Sequence, residues 1–178
     1  MIRFLDFFLS FIGLVILFPI FILVFVVSYF FTVSPIFLQT RVGKNQKAFT
    51  LIKFRTMPVE TQSIATHFVD LNSVTKLGIF LRKTKLDELP QLINVLRGEM
   101  SLVGPRPCLL SQIELIKERE LRGVFSVSPG ITGLAQIKNV NMSTPKKLAK
   151  IDQRMIQTMS LKLYLYYILL TVFSKEDF

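Results

Sequence analysis

The sequence has few of the residues on which several common protein classes depend. It contains no tryptophan, one histidine and one cysteine among 178 residues. The single cysteine, Cys108, excludes an internal disulfide, which fits a reducing compartment. The histidine, His67, has no cysteine, histidine or carboxylate at ligand spacing, so we assign no metal site to it. The length allows one ordinary domain and is too short for two.

Charge is nearly missing from the first forty residues, where Arg3 and Asp6 are the two charged side chains. The remaining residues carry 21 basic and 11 acidic side chains, so the whole net charge of +10 lies there. Ten of the 17 phenylalanines fall within the same first forty positions. An apolar segment therefore precedes a basic body, and this pattern argues against a fully soluble protein.

Residues 7–40 form an uncharged run of 34 residues, whereas a helix needs about 20 to cross the hydrocarbon core. No signal-peptide cleavage pattern follows the run, so we expect it in the mature protein. Pro19 near its middle leaves two interpretations open. One is a single tilted transmembrane helix, and the other is a helix-break-helix hairpin that enters one leaflet and returns. Basic residues downstream of the run predict that this side is cytoplasmic.

Residues 84–98 carry the most informative pattern, because apolar residues recur at helical spacing and Gly98 is a natural stop. We predict a helix with Asp87 as its N-cap, which puts Pro90 where no helical hydrogen bond is lost. Asp87 and Glu88 then lie at the positive end of a helix dipole. Ordinary capping explains this acidic pair equally well when it is taken alone.

Arg106 stands between two prolines, Pro105 and Pro107, which restrict the backbone around a planar, permanently charged guanidinium. Such a group suits bidentate contact with phosphate, and the alternative is a rigid turn with a surface arginine. Residues 128–136 form a glycine-rich connector that leads into a short strand. This connector either approaches an anion with its backbone amides or is only a turn.

Taken together, these segments resemble the bacterial monotopic phosphoglycosyl transferases, small enzymes that load a phosphosugar onto a polyprenyl phosphate. The resemblance extends from the apolar segment to about Leu170. Five ordered blocks carry it: Gln39-Thr40-Arg41-Val42-Gly43, Lys53-Phe54-Arg55-Thr56-Met57, Leu86-Asp87-Glu88-Leu89-Pro90-Gln91-Leu92, Gly104-Pro105-Arg106-Pro107 and Pro129-Gly130-Ile131-Thr132-Gly133.

The resemblance implies a re-entrant hairpin broken at Pro19, with both ends cytoplasmic. It also implies a two-step reaction in which Asp87 attacks the β-phosphorus of a UDP-sugar and Glu88 holds Mg²⁺. UMP leaves, an aspartyl-phosphosugar remains, and polyprenyl (undecaprenyl) phosphate then accepts the phosphosugar. N-acetylated, deoxygenated sugars are the family-level expectation for the donor.

Other site residues follow from the same resemblance. Arg106 is expected to clamp phosphate, with Lys53 and Arg41 on the nucleotide side. Asp152 matches a late acidic position of the family pattern and is carried over as a substrate-binding residue; the alternative is an exposed helix carboxylate paired with nearby lysines. Val140 stands where many members have an arginine thought to contact the substrate, so recognition at that point is expected to differ.

The C-terminal segment, about residues 145–173, is predicted to be one helix lying on the membrane. Its last eleven uncharged residues are too few to span a bilayer. Tyr164, Tyr166 and Tyr167 suit an interfacial position.

The expected fold is therefore α+β and mainly helical, with a membrane hairpin at 1–38 and a cytoplasmic, membrane-associated catalytic domain at 39–178 that has interfacial amphipathic helices and a few short strands. Expected partners are a UDP-sugar, polyprenyl phosphate and membrane lipids at the cytoplasmic face of a bacterial inner membrane, and a homodimer is compatible with the pattern. A non-enzymatic basic module that binds lipid or a partner is the alternative function. Nucleic-acid binding would also use the charge, but no basic-aromatic or helix-turn-helix pattern supports it.

Overall fold

The structure, a computed structural model, describes residues 2–58 and 74–173. Residues 59–73 are polar and without a helical or strand period, which predicts a loop; they include His67 and lie outside the described residues. Seven α-helices and four strands are found in the described part, so the mainly helical α+β prediction is confirmed. The strands make two small sheets, one antiparallel and one parallel. The predicted boundary between residues 38 and 39 falls inside the first strand and stays a prediction.

The first helix, α1 (Ile2–Phe31), continues through Pro19 without a break. A proline inside a helix removes one hydrogen bond and kinks the helix without having to end it. Among the described residues, α1 alone is long and apolar enough to cross a bilayer, by length and composition. The interruption expected at Pro19 is thus not seen in the secondary structure.

One face of α1 packs along the body, and the opposite faces are exposed and apolar. Residues three and four apart form this packed face, as one side of a helix requires; they are Asp6, Ser10, Gly13, Leu17, Phe21, Val24 and Ser28. The exposed faces carry large apolar side chains such as Phe4, Phe11 and Phe18. Both halves of α1 therefore contact the rest of the chain.

Strands β1 (Ile36–Val42) and β2 (Ala48–Phe54) pair as an antiparallel hairpin. Phe37 lies opposite Lys53 and Arg41 lies opposite Phe49. Since side chains alternate across a strand, Lys53 and Arg41 share one face of the hairpin. This face points the two cations toward the same region of the body.

The acidic pair lies on a short 3-10 turn, Leu86–Glu88, which follows α2 (Lys76–Lys83). Helix α3 (Gln91–Arg97) begins only after Pro90. The predicted N-cap at Asp87 is wrong, because Lys85 takes a left-handed conformation with φ 57° and starts the tight turn before the helix can begin. Gly98 ends α3 at φ 84°, and this predicted stop is confirmed.

Strands β3 (Ser101–Val103) and β4 (Gly130–Thr132) pair in parallel. The glycine-rich connector packs backbone against backbone here: a Cβ on Gly130 would lie 2.0 Å from the Gly104 nitrogen. Gly104 N donates to Thr132 O at 2.8 Å, and Gly130 N donates to Pro105 O at 2.9 Å. The connector therefore anchors the loop that carries Arg106, and close packing explains its glycines.

The C-terminal segment predicted as one helix, about residues 145–173, is two helices separated by a break. The short α5 (Leu134–Ile137) precedes α6 (Pro145–Thr158) and α7 (Leu161–Phe173), and the predicted single helix is interrupted between α6 and α7. Tyr164 and Tyr167 are buried in a cluster with Met155, while Tyr166 is exposed. The predicted interfacial position is therefore wrong for Tyr164 and Tyr167.

Candidate functional site

Three segments of the chain bring opposite charges together around the 3-10 turn that carries Asp87. The β1–β2 hairpin contributes Lys53, the last turn of α2 contributes Arg82, and the loop after β3 contributes Arg106. All three cations act electrostatically on Asp87 and lower its pKa. The sequence blocks that predicted a site thus meet in space, and Arg82 joins them.

Asp87 is the most perturbed carboxylate of this group. Its side chain is buried, with the residue 8% exposed. Burial, and after it the neighbouring Glu88, raise the pKa of Asp87 to about 7 against the opposing effect of the surrounding cations. A buried carboxylate with so unusual a pKa is typical of a reaction centre.

Lys53 lies in the same buried environment. Burial lowers the pKa of Lys53 to about 8, while Asp87 acts in the opposite direction. Its ammonium nitrogen lies 5.1 Å from the centre of the Phe37 ring, on the shared face of the hairpin. The structure therefore places Lys53 in the electrostatic environment of the predicted nucleophile, Asp87.

Arg106 contacts the second carboxylate of the pair. Its Nη2 donates to Glu88 Oε1 at 2.8 Å. The Arg106 side chain is 43% exposed, whereas that of Glu88 is 18% exposed. The Arg106 guanidinium is thus partly accessible to a phosphate group arriving from solvent.

Arg41 is buried behind this surface rather than at it. Its guanidinium donates to Gln39 Oε1 and, through Nη1, to Pro107 O at 3.1 Å. Burial, followed by the charge of Arg106, lowers the pKa of Arg41 to about 10. Arg41 braces the loop of Arg106 and adds positive charge; direct contact with a nucleotide stays a prediction.

Asp152 is buried on α6 in an ion pair with Arg119 of α4 (Ile113–Glu120). Both side chains are at most 2% exposed. The alternative of an exposed carboxylate paired with lysines is therefore wrong, because the partner is an arginine 33 residues away. The position expected to hold a family arginine, Val140, packs against an apolar cluster that includes Leu115 and Leu148.

Sequence reasoning missed two cations that the structure brings to this region. Arg82 donates from Nε to Thr56 Oγ1 at 3.0 Å and influences Asp87. In the sequence, the mixed apolar and basic residues 77–83 are compatible with a helix on a membrane surface or a solvated helix with a basic face, and neither interpretation gives Arg82 a role at the site. Arg119 gave no sequence signal, since its partner is distant along the chain.

The donor set fits one divalent cation shared with a substrate. Within residues 2–58 and 74–173, no group of three or more histidine, cysteine or acidic side chains could hold a metal. Mg²⁺, however, takes one or two carboxylates and completes its shell with water and substrate phosphates. Asp87 and Glu88 supply such carboxylates, so the residues present fit the predicted Mg²⁺ without forming a closed metal site.

Together, the fold and the site define a class: a mainly helical protein with a long apolar helix and a buried carboxylate ringed by Lys53, Arg82 and Arg106. Such a centre can neutralise a phosphate-bearing substrate while presenting a carboxylate to it. Comparison with known proteins then identifies the family. A family model described as bacterial sugar transferase matches residues 1–175, and the chain belongs to this family.

Several curated relatives support this assignment. The chain is 44% identical over 140 residues to an uncharacterized sugar transferase, EpsL, of Bacillus subtilis, covering 78% of this chain and 69% of the relative. It is 42% identical over 150 residues to the UDP-glucose:undecaprenyl-phosphate glucose-1-phosphate transferase of Escherichia coli, covering 78% and 32%. A galactosyl transferase, CpsE, of Streptococcus agalactiae is 39% identical over 151 residues, covering 77% and 33%. The chain thus spans about a third of the latter two proteins.

Proposed function

We propose that this protein transfers a sugar 1-phosphate from a UDP-sugar to a polyprenyl phosphate. One observation carries the proposal: Asp87 is a buried carboxylate with a raised pKa, held beside Glu88 within a ring of cations. Relatives named as undecaprenyl-phosphate sugar-1-phosphate transferases support the reaction class. A module that only binds anionic lipid would need the positive charge but not the buried carboxylate.

In the first step an ionised oxygen of Asp87 attacks the β-phosphorus of the UDP-sugar. The Asp87–phosphorus bond forms, the bond from that phosphorus to the bridging oxygen breaks, and UMP leaves with the electron pair. Lys53, Arg82 and Arg106 offset the charge that repels a carboxylate from a diphosphate. Asp87 then carries the phosphosugar as an acyl phosphate.

In the second step a phosphate oxygen of the polyprenyl phosphate attacks the same phosphorus. The bond to Asp87 breaks, the carboxylate is restored, and polyprenyl diphosphosugar is released. Covalent catalysis of this kind divides one difficult transfer into two easier ones. The same cations assist both steps, because negative charge accumulates around the same phosphorus atom in each attack.

Glu88 would hold Mg²⁺ during the reaction. The ion when bound would supply charge neutralisation to the diphosphate. In the structure Glu88 contacts Arg106 at 2.8 Å. A bound diphosphate would compete with Glu88 for that guanidinium, which leaves Glu88 available to the cation.

We place the protein at the cytoplasmic face of the bacterial inner membrane, and the packing of α1 supports its insertion into one leaflet. Arg3 near its beginning donates to Leu96 O at 3.1 Å, and Val24 near its end packs with Leu81 and Leu89. These contacts lie roughly 30 Å apart along the helix at about 1.5 Å per residue. A helix crossing the bilayer would separate its beginning from the body, so we infer a monotopic arrangement.

The function is tested by mixing the protein in nanodiscs with polyprenyl phosphate, Mg²⁺ and single UDP-sugars, and measuring UMP. UDP-glucose and UDP-galactose come first, because names of relatives refer to them, followed by N-acetylated and deoxygenated donors. We expect UMP release with at least one donor, and its loss in Asp87→Asn. Lipid binding without UMP release from any donor would favour the non-enzymatic alternative.

A further inference from the structure

The buried ion pair between Arg119 and Asp152 joins two helices behind the reaction centre. Arg119 of α4 donates to Asp152 Oδ2 of α6 through Nε at 3.0 Å and through Nη2 at 2.8 Å. The exposed fractions are 2% and 1% for the two side chains. Both donors converge on the same oxygen, so two charge-assisted hydrogen bonds fix the orientation of the Arg119 guanidinium toward Asp152.

Stability alone does not explain this pair. Removing two charges from water is costly, and an apolar pair of similar volume is often as stable. Asp152 Oδ1 is in addition buried without a hydrogen-bond partner. An unpaired buried oxygen lowers stability further. An apolar pair of similar volume would fill the same space without this loss.

The third contact of Arg119 points to a use for the pair. Its Nη1 donates to the backbone oxygen of Arg106 at 2.8 Å. The flanking carbonyls of Pro105 and Pro107 accept from Gly130 N and Arg41 Nη1. All three carbonyls of the loop are thus held, while the Arg106 side chain extends to Glu88.

We propose that the Arg119–Asp152 pair is a positioning unit, which holds the backbone of Arg106 so that its guanidinium meets Glu88 and the substrate diphosphate. Asp152 fixes the plane of the Arg119 guanidinium, and Arg119 fixes the loop. Asp152 then acts through Arg106 rather than by touching substrate. This inference rests on the proposed function for its kinetic consequence, while the geometric part stands on the hydrogen bonds.

A double-mutant cycle tests the proposal by UMP release. Asp152→Asn and Arg119→Lys each should lower kcat/KM about 10- to 100-fold, because small displacements of a clamp are costly. In an Arg106→Ala background the same changes should lower kcat/KM less than about threefold, since the group they position is gone. Equal losses in both backgrounds would overturn the proposal and indicate a merely structural role.

A matched control lies on the same helix. Glu118 of α4 forms an i,i+4 ion pair with Arg122, which follows the helix. Glu118→Gln makes the same carboxylate-to-amide change as Asp152→Asn, and it should leave kcat/KM within about twofold. A loss as large as that of Asp152→Asn would contradict the proposal, because any ion pair on α4 would then matter.

Hydrogen exchange separates a failure of this proposal from a failure of the proposed function. In Asp152→Asn, the segment 101–110 should exchange faster while α3 keeps its protection; Glu118→Gln should change neither. This readout needs no substrate, so it decides even if the wild-type protein releases no UMP from any donor. Unchanged exchange at 101–110 in both Asp152→Asn and Arg119→Lys would overturn the positioning role.

Discussion

At the residue scale, the proposed reaction depends on Asp87, a carboxylate whose charged form is disfavoured by burial. Asp87 is buried and Lys53 half-buried, with the pKa of Asp87 raised to about 7 and that of Lys53 lowered to about 8. Both shifts have burial as their largest cause, and each group opposes the shift of its neighbour. The site therefore holds charge at a cost in stability, as reaction centres commonly do.

Substitution of Asp87 should expose this cost in the metal-free protein. The folded protein binds the Asp87 proton more tightly than the unfolded chain, because the pKa rises from 3.8 to about 7 on folding. Asp87 thus lowers the free energy of unfolding progressively from pH 4 to 7 and fully above that range. The free energy of unfolding of Asp87→Asn should therefore exceed that of the wild type by about 1–3 kcal/mol at pH 8 and differ little from it at pH 4.

Thermal unfolding with EDTA present measures this gain. The exposed Glu114→Gln serves as a carboxylate-to-amide control and should show no comparable difference between the two pH values. A Tm of Asp87→Asn below that of the wild type at pH 8 would show that ionised Asp87 stabilises the fold, contrary to the account.

At the scale of elements, a polar cluster fastens the beginning of α1 to the body. Asp6 Oδ1 accepts from Ser101 Oγ and Leu102 N at 2.8 Å, and from the Tyr164 hydroxyl at 2.7 Å. Burial and Asp6 both raise the pKa of Tyr164, so its hydroxyl stays a donor. Helices α1 and α7 and strand β3 are thereby joined by one carboxylate.

Loss of that carboxylate should loosen α1. Asp6→Ala leaves buried donors unpaired and should cost about 3 kcal/mol, whereas Tyr164→Phe removes one hydrogen bond and should cost about 1 kcal/mol. The exposed Tyr166→Phe is the matched control and should change stability by less than about 0.5 kcal/mol. Thermal unfolding in nanodiscs measures the stability of all three variants. An Asp6→Ala variant as stable as the wild type would contradict the stabilising role of the Asp6 cluster.

Local signals predicted some elements well and missed those set by distant contacts. Gly98 was readable as a stop because glycine readily takes a positive φ. The start of the 3-10 turn that carries Asp87 was not predictable, since nothing in the sequence marks Lys85 for a left-handed conformation at φ 57°. The break after Thr158 was not predictable from local sequence, because no glycine or proline lies there. The partner of Asp152 lies on another helix, so no sequence spacing could reveal it.

At the scale of the whole molecule, the division into an apolar first segment and a basic body becomes a single packed arrangement. α1 lies along the body through one face and leaves its phenylalanine-rich faces exposed. Part of the excess positive charge lies at the site, where Lys53, Arg82 and Arg106 act on Asp87. In the proposed function, a water-soluble nucleotide sugar and a lipid phosphate meet at Asp87.

The monotopic arrangement predicts that both ends of α1 face one side of the membrane. Single cysteines at Ile2→Cys and Lys146→Cys, in a Cys108→Ser background, should both react with an impermeant maleimide in inverted inner-membrane vesicles. Neither should react in intact spheroplasts. Labelling of Ile2→Cys from the outside, with Lys146→Cys labelled from the inside, would show a helix that crosses the bilayer.

The covalent state of Asp87 tests the central claim most directly. The protein in nanodiscs is incubated with Mg²⁺ and its UDP-sugar, without polyprenyl phosphate, and then analysed by intact and peptide mass spectrometry. We expect the added mass of one phosphosugar on Asp87, its absence in Asp87→Asn, and its disappearance when polyprenyl phosphate is added. UMP release without any adduct, or an adduct on a residue other than Asp87, would contradict the mechanism.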